Sequence, residues 1–247
     1  GLMLREGSKR LILVNIFFIL VAIFSSMIQN VNIYFICVLI TSIYMMVKFK
    51  DKPTNKDILI SVVLGNLAGL YGMVTADYIR GPLVIVMVMA GYLVAVGIFR
   101  DYNYDDKLLY KNPLKSIGWG LGLGIVLGIF NLKMGGEDIV FGFDADAIAN
   151  ALQAGILEEV SMRFFFYALG IFILKGNPSN KFESALIYII MIVPHVLAHG
   201  MMDFSSFLFL FLFFGLAMAI LQRKLDLTSA IITHTIIDII RFTSLGI

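Results

Sequence analysis

Apolar windows long enough to cross a bilayer recur almost without pause along the 247 residues, and nothing else in the sequence constrains the fold as tightly. Nine such windows fall at about 11–28, 31–47, 58–75, 82–99, 114–132, 147–174, 182–200, 206–222 and 228–245. Lipid satisfies no backbone polar group, and these runs of Ile, Leu, Val, Phe and Met lack the alternation of a membrane β-barrel. The sequence therefore predicts an all-α, polytopic membrane helix bundle of about nine transmembrane helices. A mean hydropathy of +0.92 agrees. The first apolar run follows Arg5, Lys9 and Arg10, as in a signal peptide, but its length of about 18 residues without a small-residue cleavage site predicts a retained span.

The basic residues test the count. With nine spans, fifteen of the nineteen Lys and Arg fall in connections on one side, around Arg10, Lys52, Lys107, Lys181 and Arg223. Only Arg80, Lys133 and Arg241 fall on the other, and Arg163 lies inside a span. The positive-inside rule then predicts a cytoplasmic N-terminus and an external C-terminus. A formal charge of +2 without a basic block gives nucleic acid no electrostatic footprint.

Two features invite over-reading. Gly118, Gly120, Gly122, Gly124 and Gly128 lie within one apolar helix rather than between a strand and a helix, so no nucleotide fingerprint forms. Gly120, Gly124 and Gly128, four apart, predict instead a small-residue face for close helix packing. Cys37, the single cysteine, has no partner for a disulfide or a CxxC site and reads as a buried packing residue.

Titratable residues inside a bilayer cost about 2.5–3.5 kcal/mol each at mid-helix, and here they concentrate in the last four spans. The sixth span contains Glu158, Glu159 and Arg163; all three histidines, His195, His199 and His234, lie in the seventh and ninth. On an α-helix Glu159 and Arg163, four apart, share a face and predict an ion pair. Glu158 is rotated from them by about 100° and turns toward another helix. His195 and His199 repeat the four-residue interval after the helix-disrupting Pro194, as do His234 and Asp238. Depth counting does not level the three patches unless helix ends lie several residues from these bounds or the segment 223–228, apolar at Leu225 and Leu227, dips into the membrane, the second being favoured. Asp144, Asp146 and Asp203, at span ends, predict caps.

Glu-Glu-x-x-x-Arg on one span, Val196-Leu197-Ala198-His199 on the next and His-x-x-x-Asp within the stretch 227–238 resemble, in this order, the CPBP group. That group comprises the type II CAAX prenyl endopeptidases and the bacteriocin-processing and immunity proteins, also called Abi. The resemblance spans about 114–245 and divides the chain into helices without family motifs (1–113) and a protease-like domain (114–247). It implies that Glu158 and His199 activate water while His234 and Asp238 hold the substrate carbonyl or its oxyanion, supported by Glu159, Arg163 and His195. Two positions depart from the family: His195 stands where Phe is usual, so either His195 or His199 is the functional histidine, with His199 favoured. Asp238 replaces the commoner Asn; it must be protonated to donate, orient His234, or bind a metal.

The resemblance thus predicts a hydrolase of the cell membrane, of prokaryotic type, cutting a membrane-associated peptide or protein, with leader-bearing or signalling peptides favoured over prenylated ones. It works either without a cofactor or with a divalent metal such as zinc on Glu158, His199 and His234, a carboxylate and two imidazoles with one position left for water. The alternatives are an inactive scaffold of the same fold that regulates a partner membrane protein, and a proton-coupled transporter using the same groups as a relay.

Overall fold

The computed structural model describes residues 4–104 and 111–246, and every described element is helical. All nine windows become helical: α1 (Glu6–Met27), α2 (Asn32–Lys48), α3 (Asn55–Val74), α4 (Arg80–Asp101), α5 (Pro113–Gly135), then α6 (Ala145–Leu157), a π-helical segment (Glu158–Phe164) and α7 (Phe165–Leu174) in one run. α8 (Lys181–Ala198) follows. The eighth window is α9 (Phe204–Leu210), a second π-helical segment (Phe211–Leu216) and α10 (Ala217–Lys224); the ninth is α11 (Leu227–Leu245). The expected connection at Lys107 lies outside the described residues.

Among the described residues, six helices are long and apolar enough to cross a membrane: α1, α3, α4, α5, α8 and the run Phe204–Lys224; α2 is a shorter apolar helix. α1 shows the inversion that lipid imposes. Leu11, Phe18 and Ala22 are buried, yet Leu13, Phe17, Leu20 and Phe24, more than half exposed, put an equally apolar surface outward. The protein is a multi-pass membrane protein.

Two compact units make up the chain, each drawing on both sides of residue 113: Gly1–Thr54, Ala90–Asp105 and Met162–Ala219 form the first, and Asn55–Met89, Asp106–Ser161 and Ile220–Ile247 the second. In the first unit α1 packs on α2, α7 and α8. Buried polar groups tie α1 to α8. Glu183 accepts both Arg5 nitrogens at 2.6 Å and the Ser8 hydroxyl at 2.6 Å, Asn15 donates to Leu186 O at 3.3 Å, and Ser26 donates to Leu197 O. The partners ascend together, so α1 and α8 run parallel, as the first and seventh spans of an alternating chain must.

In the second unit α11 packs on α5 and α6, and α3 packs on α6. The predicted glycine face is realised: a Cβ on Gly120, Gly124 or Gly128 would stand 2.7 Å from Ile232, Ile236 or Ile240, respectively. These pairs also ascend together, as the fifth and ninth spans require. Asp226 caps α11 through Ser229 N at 2.8 Å and accepts the Ser116 hydroxyl of α5. The link to α11 is packed rather than looped out: Asp226 and Leu227 are buried. Asp144 and Asp203 are caps, as expected, accepting from Asp146 N at 3.1 Å and Ser206 N at 2.7 Å. Cys37 is only half-buried, a correction to the enclosed position expected of it, because α2 turns Ile36 and Ile40 beside it outward.

Candidate active site

The sixth window is not a uniform α-helix. From Glu158 to Phe164 the backbone is π-helical, with hydrogen bonds to the fifth rather than the fourth residue, which widens the turn. Both carboxylates reach the same imidazole, each at a different ring nitrogen. Glu158 Oε2 lies 3.0 Å from His234 Nε2, and Glu159 Oε1 lies 2.7 Å from His234 Nδ1. Asp238, one turn along α11, brings Oδ2 to 3.3 Å from the same Nε2. The Ser161 hydroxyl holds this stretch to Met87 O of α4 at 3.1 Å.

Glu159 is fully enclosed; the side chains of His234, Asp238 and Glu158 are 12%, 15% and 18% exposed. Gln222, also fully buried, donates through Nε2 to Glu159 Oε2 at 2.7 Å and to its backbone carbonyl at 3.1 Å. The sequence reading assigned Gln222 no role. The available signal was an amide closing an otherwise apolar span.

Charge bookkeeping in this cluster has a chemical consequence. A neutral imidazole has one N–H, so carboxylates at both ring nitrogens are satisfied by an imidazolium donating twice, or by a carboxyl that keeps its proton. Ligand atoms of Glu158, His234 and Asp238 all lie within 4.8 Å of one another, and the second nitrogen of His234 rests on the Glu159 carboxylate, the outer support usual for a metal-binding histidine. These residues fit a divalent metal.

The other candidate residues belong to the first unit. Arg163, at the far end of the π-helical segment, is buried, and its Nη1 lies 2.8 Å from His195 Nδ1. A guanidinium only donates, so His195 Nδ1 accepts and the ring's proton is on Nε2. His199 ends α8 and is exposed; its Nδ1 donates to His195 O at 2.8 Å, which puts the lone pair of the neutral ring on Nε2. The two rings are 4.7 Å apart. His195 is thus a buried acceptor for Arg163, and His199 lies at the exposed end of α8. Phe164, next to Arg163, is locked between Tyr92 and Phe99, with ring centroids at 6.2 and 5.2 Å.

Against known families, residues 142–240 match the model described as type II CAAX prenyl endopeptidase, Rce1-like. No curated protein and no solved structure matches the chain. The matched stretch begins just before α6, ends within α11, and contains every titratable residue of the candidate site. Residues 142–240 of this membrane protein are thus similar to the type II CAAX prenyl endopeptidases.

Proposed function

We propose that the protein is an intramembrane endopeptidase that hydrolyses a peptide bond in a membrane-associated peptide or protein, with residues 114–247 carrying the machinery. The observation that carries this reading is the triple hold of Glu158, Glu159 and Asp238 on His234. A site that surrounds one imidazole with three acids is built for proton transfer, because the ring and its neighbours exchange a proton without leaving the cluster. Glu158 is the base toward water. His234, donating from Nε2, stabilises the oxyanion as it forms, and the proton taken from water passes to the leaving amine.

Asp238 orients His234 rather than donating to the oxyanion itself; its acceptance of the Nε2 hydrogen supports this choice among the three roles open to it. Glu159 fixes the ring from behind, and Gln222 fixes Glu159. A divalent metal held by Glu158, His234 and Asp238 would supply Lewis acidity to water and carbonyl.

The deciding experiment incubates candidate membrane peptides with wild-type and Glu158→Gln protein in liposomes and reads the products by mass spectrometry. Cleavage by the wild type alone, with equal melting temperatures, is the expected result. Equal product from both proteins would exclude Glu158 as the base, and no product from either would favour the scaffold. Loss of cleavage on chelation, restored by zinc, would identify the metal-dependent form; indifference to the chelator would identify the metal-free one.

A further inference from the structure

In the first unit, four helix ends converge on a cavity of about 730 Å³. Arg10 comes from the first turns of α1, Lys48 from the last residue of α2, Lys52 from the link after it, and Lys175 from the residue that caps α7. Among the described residues, the acidic group in the lining is Asp101, at the end of α4, and it is taken by Lys52 at 2.7 Å. Arg10 meets Glu6 of its own helix, outside the lining, at 3.2 Å. Like charges gathered on one concave surface repel unless an anion joins them, and with both acids counted the described groups keep an excess of two positive charges.

The remaining wall is apolar. Phe49, Phe172 and Leu13 line it, Lys48 Nζ sits 4.6 Å from the Phe172 ring centroid, and Leu13 is 64% exposed one turn inward from Arg10. Leu13 continues into Phe17 and Leu20 on the outward face of α1, a surface suited to lipid tails. Cations at the helix ends and an apolar strip leading away from them match an amphiphile with a phosphate head and an acyl chain. A free phosphate would meet only the cations. We propose that this cavity binds an anionic phospholipid of the leaflet that meets these helix ends, its headgroup among Arg10, Lys48, Lys52 and Lys175 and a chain along α1. Basic pockets between transmembrane helices bind anionic headgroups on this principle. None of the residues invoked for hydrolysis lines the cavity, so the site stands or falls apart from the peptidase reading.

The test is native mass spectrometry of the full chain in neutral detergent, with phosphatidylglycerol, phosphatidylcholine and inorganic phosphate as separate arms. The wild type is expected to retain phosphatidylglycerol, not phosphatidylcholine, and to bind inorganic phosphate weakly. The double substitution Lys48→Gln, Lys175→Gln removes two exposed cations worth about 1 kcal/mol each at a membrane surface, so binding should weaken on the order of 30-fold. Raising the salt concentration must weaken wild-type binding as well, an arm that needs no variant. Equal retention of the two lipids, inorganic phosphate bound as tightly as phosphatidylglycerol, salt-independent binding, or a folded double variant that binds like the wild type would each overturn the proposal.

Discussion

Gly155 sits where α6 meets α11, directly against the residue that follows His234. A Cβ added there would overlap Thr235 Oγ1 and stand 3.1 Å from both Thr235 Cβ and Thr235 N. Rotating the hydroxyl away relieves the first contact and leaves the other two, which belong to the α11 backbone and its first side-chain atom. Restoring ordinary separations of ~3.5–4.0 Å moves α11 by about 1 Å. Gly155→Ala should therefore destabilise the folded protein by about 1–3 kcal/mol, as overpacking does. The same displacement draws His234 away from Glu158, and an error of 1 Å in a catalytic group costs about 100-fold in rate.

The partner substitution makes the reasoning sharper. Thr235 Oγ1 is buried without a hydrogen-bond partner, so Thr235→Ala alone removes no bond and should leave stability nearly unchanged. In the double variant the overlapping atom is gone but the two contacts at 3.1 Å remain, so only the part of the lost stability and rate that Oγ1 causes should return. Circular-dichroism melting in detergent and peptide turnover in liposomes measure the two effects, and the four proteins form a cycle whose coupling energy should exceed about 0.5 kcal/mol. Strict additivity, or a Gly155→Ala protein as stable and active as the wild type, would refute the packing argument.

Two other predictions follow from the geometry. His195→Ala removes a buried acceptor of the Arg163 guanidinium and should lower the melting temperature, whereas His199→Ala, at an exposed helix end, should lower turnover with little change in melting; the opposite pattern would exchange their roles. In a Cys37→Ser background, a cysteine placed at Glu137 should react with an impermeant maleimide from outside the cell and one at Lys52 should not; labelling of both from one side would break the nine-span topology.

The spans were legible because their signal is composition over about twenty residues, which tertiary contacts do not override. The glycine face of α5 was legible for a related reason: four-residue spacing in an apolar helix has few other uses. The candidate residues stood out in the sequence as titratable groups in apolar spans, and their connections did not. A helical wheel assumes 3.6 residues per turn, and nothing between Glu158 and Phe164, neither Gly nor Pro, announces that the backbone leaves that period. The pairing of Glu159 with Gln222 and His234 spans 63 and 75 residues, and that of Arg5 with Glu183 spans 178. Such contacts depend on which spans become neighbours, which hydropathy does not encode. Nothing in the sequence singled out Glu183, the third residue of α8, which is fully buried and accepts from Arg5, Ser8 and Ser179.

α11 presents two stripes. Ile232, Ile236 and Ile240 fill the hollows left by the glycines of α5, while His234 and Asp238, about 200° around the axis, carry the chemistry. The interlocking of isoleucine with glycine fixes the angle of the helix about its own axis, and the Asp226 cap, bonded to Ser116 of α5, fixes its height. A screw held against both turning and sliding has no freedom left, so the imidazole is aimed by a neighbour that contributes no functional group. Adding one residue to α11 between Ser229 and Ile232 would turn everything beyond it by about 100°, swinging His234 off its carboxylates while leaving every side chain of the site present.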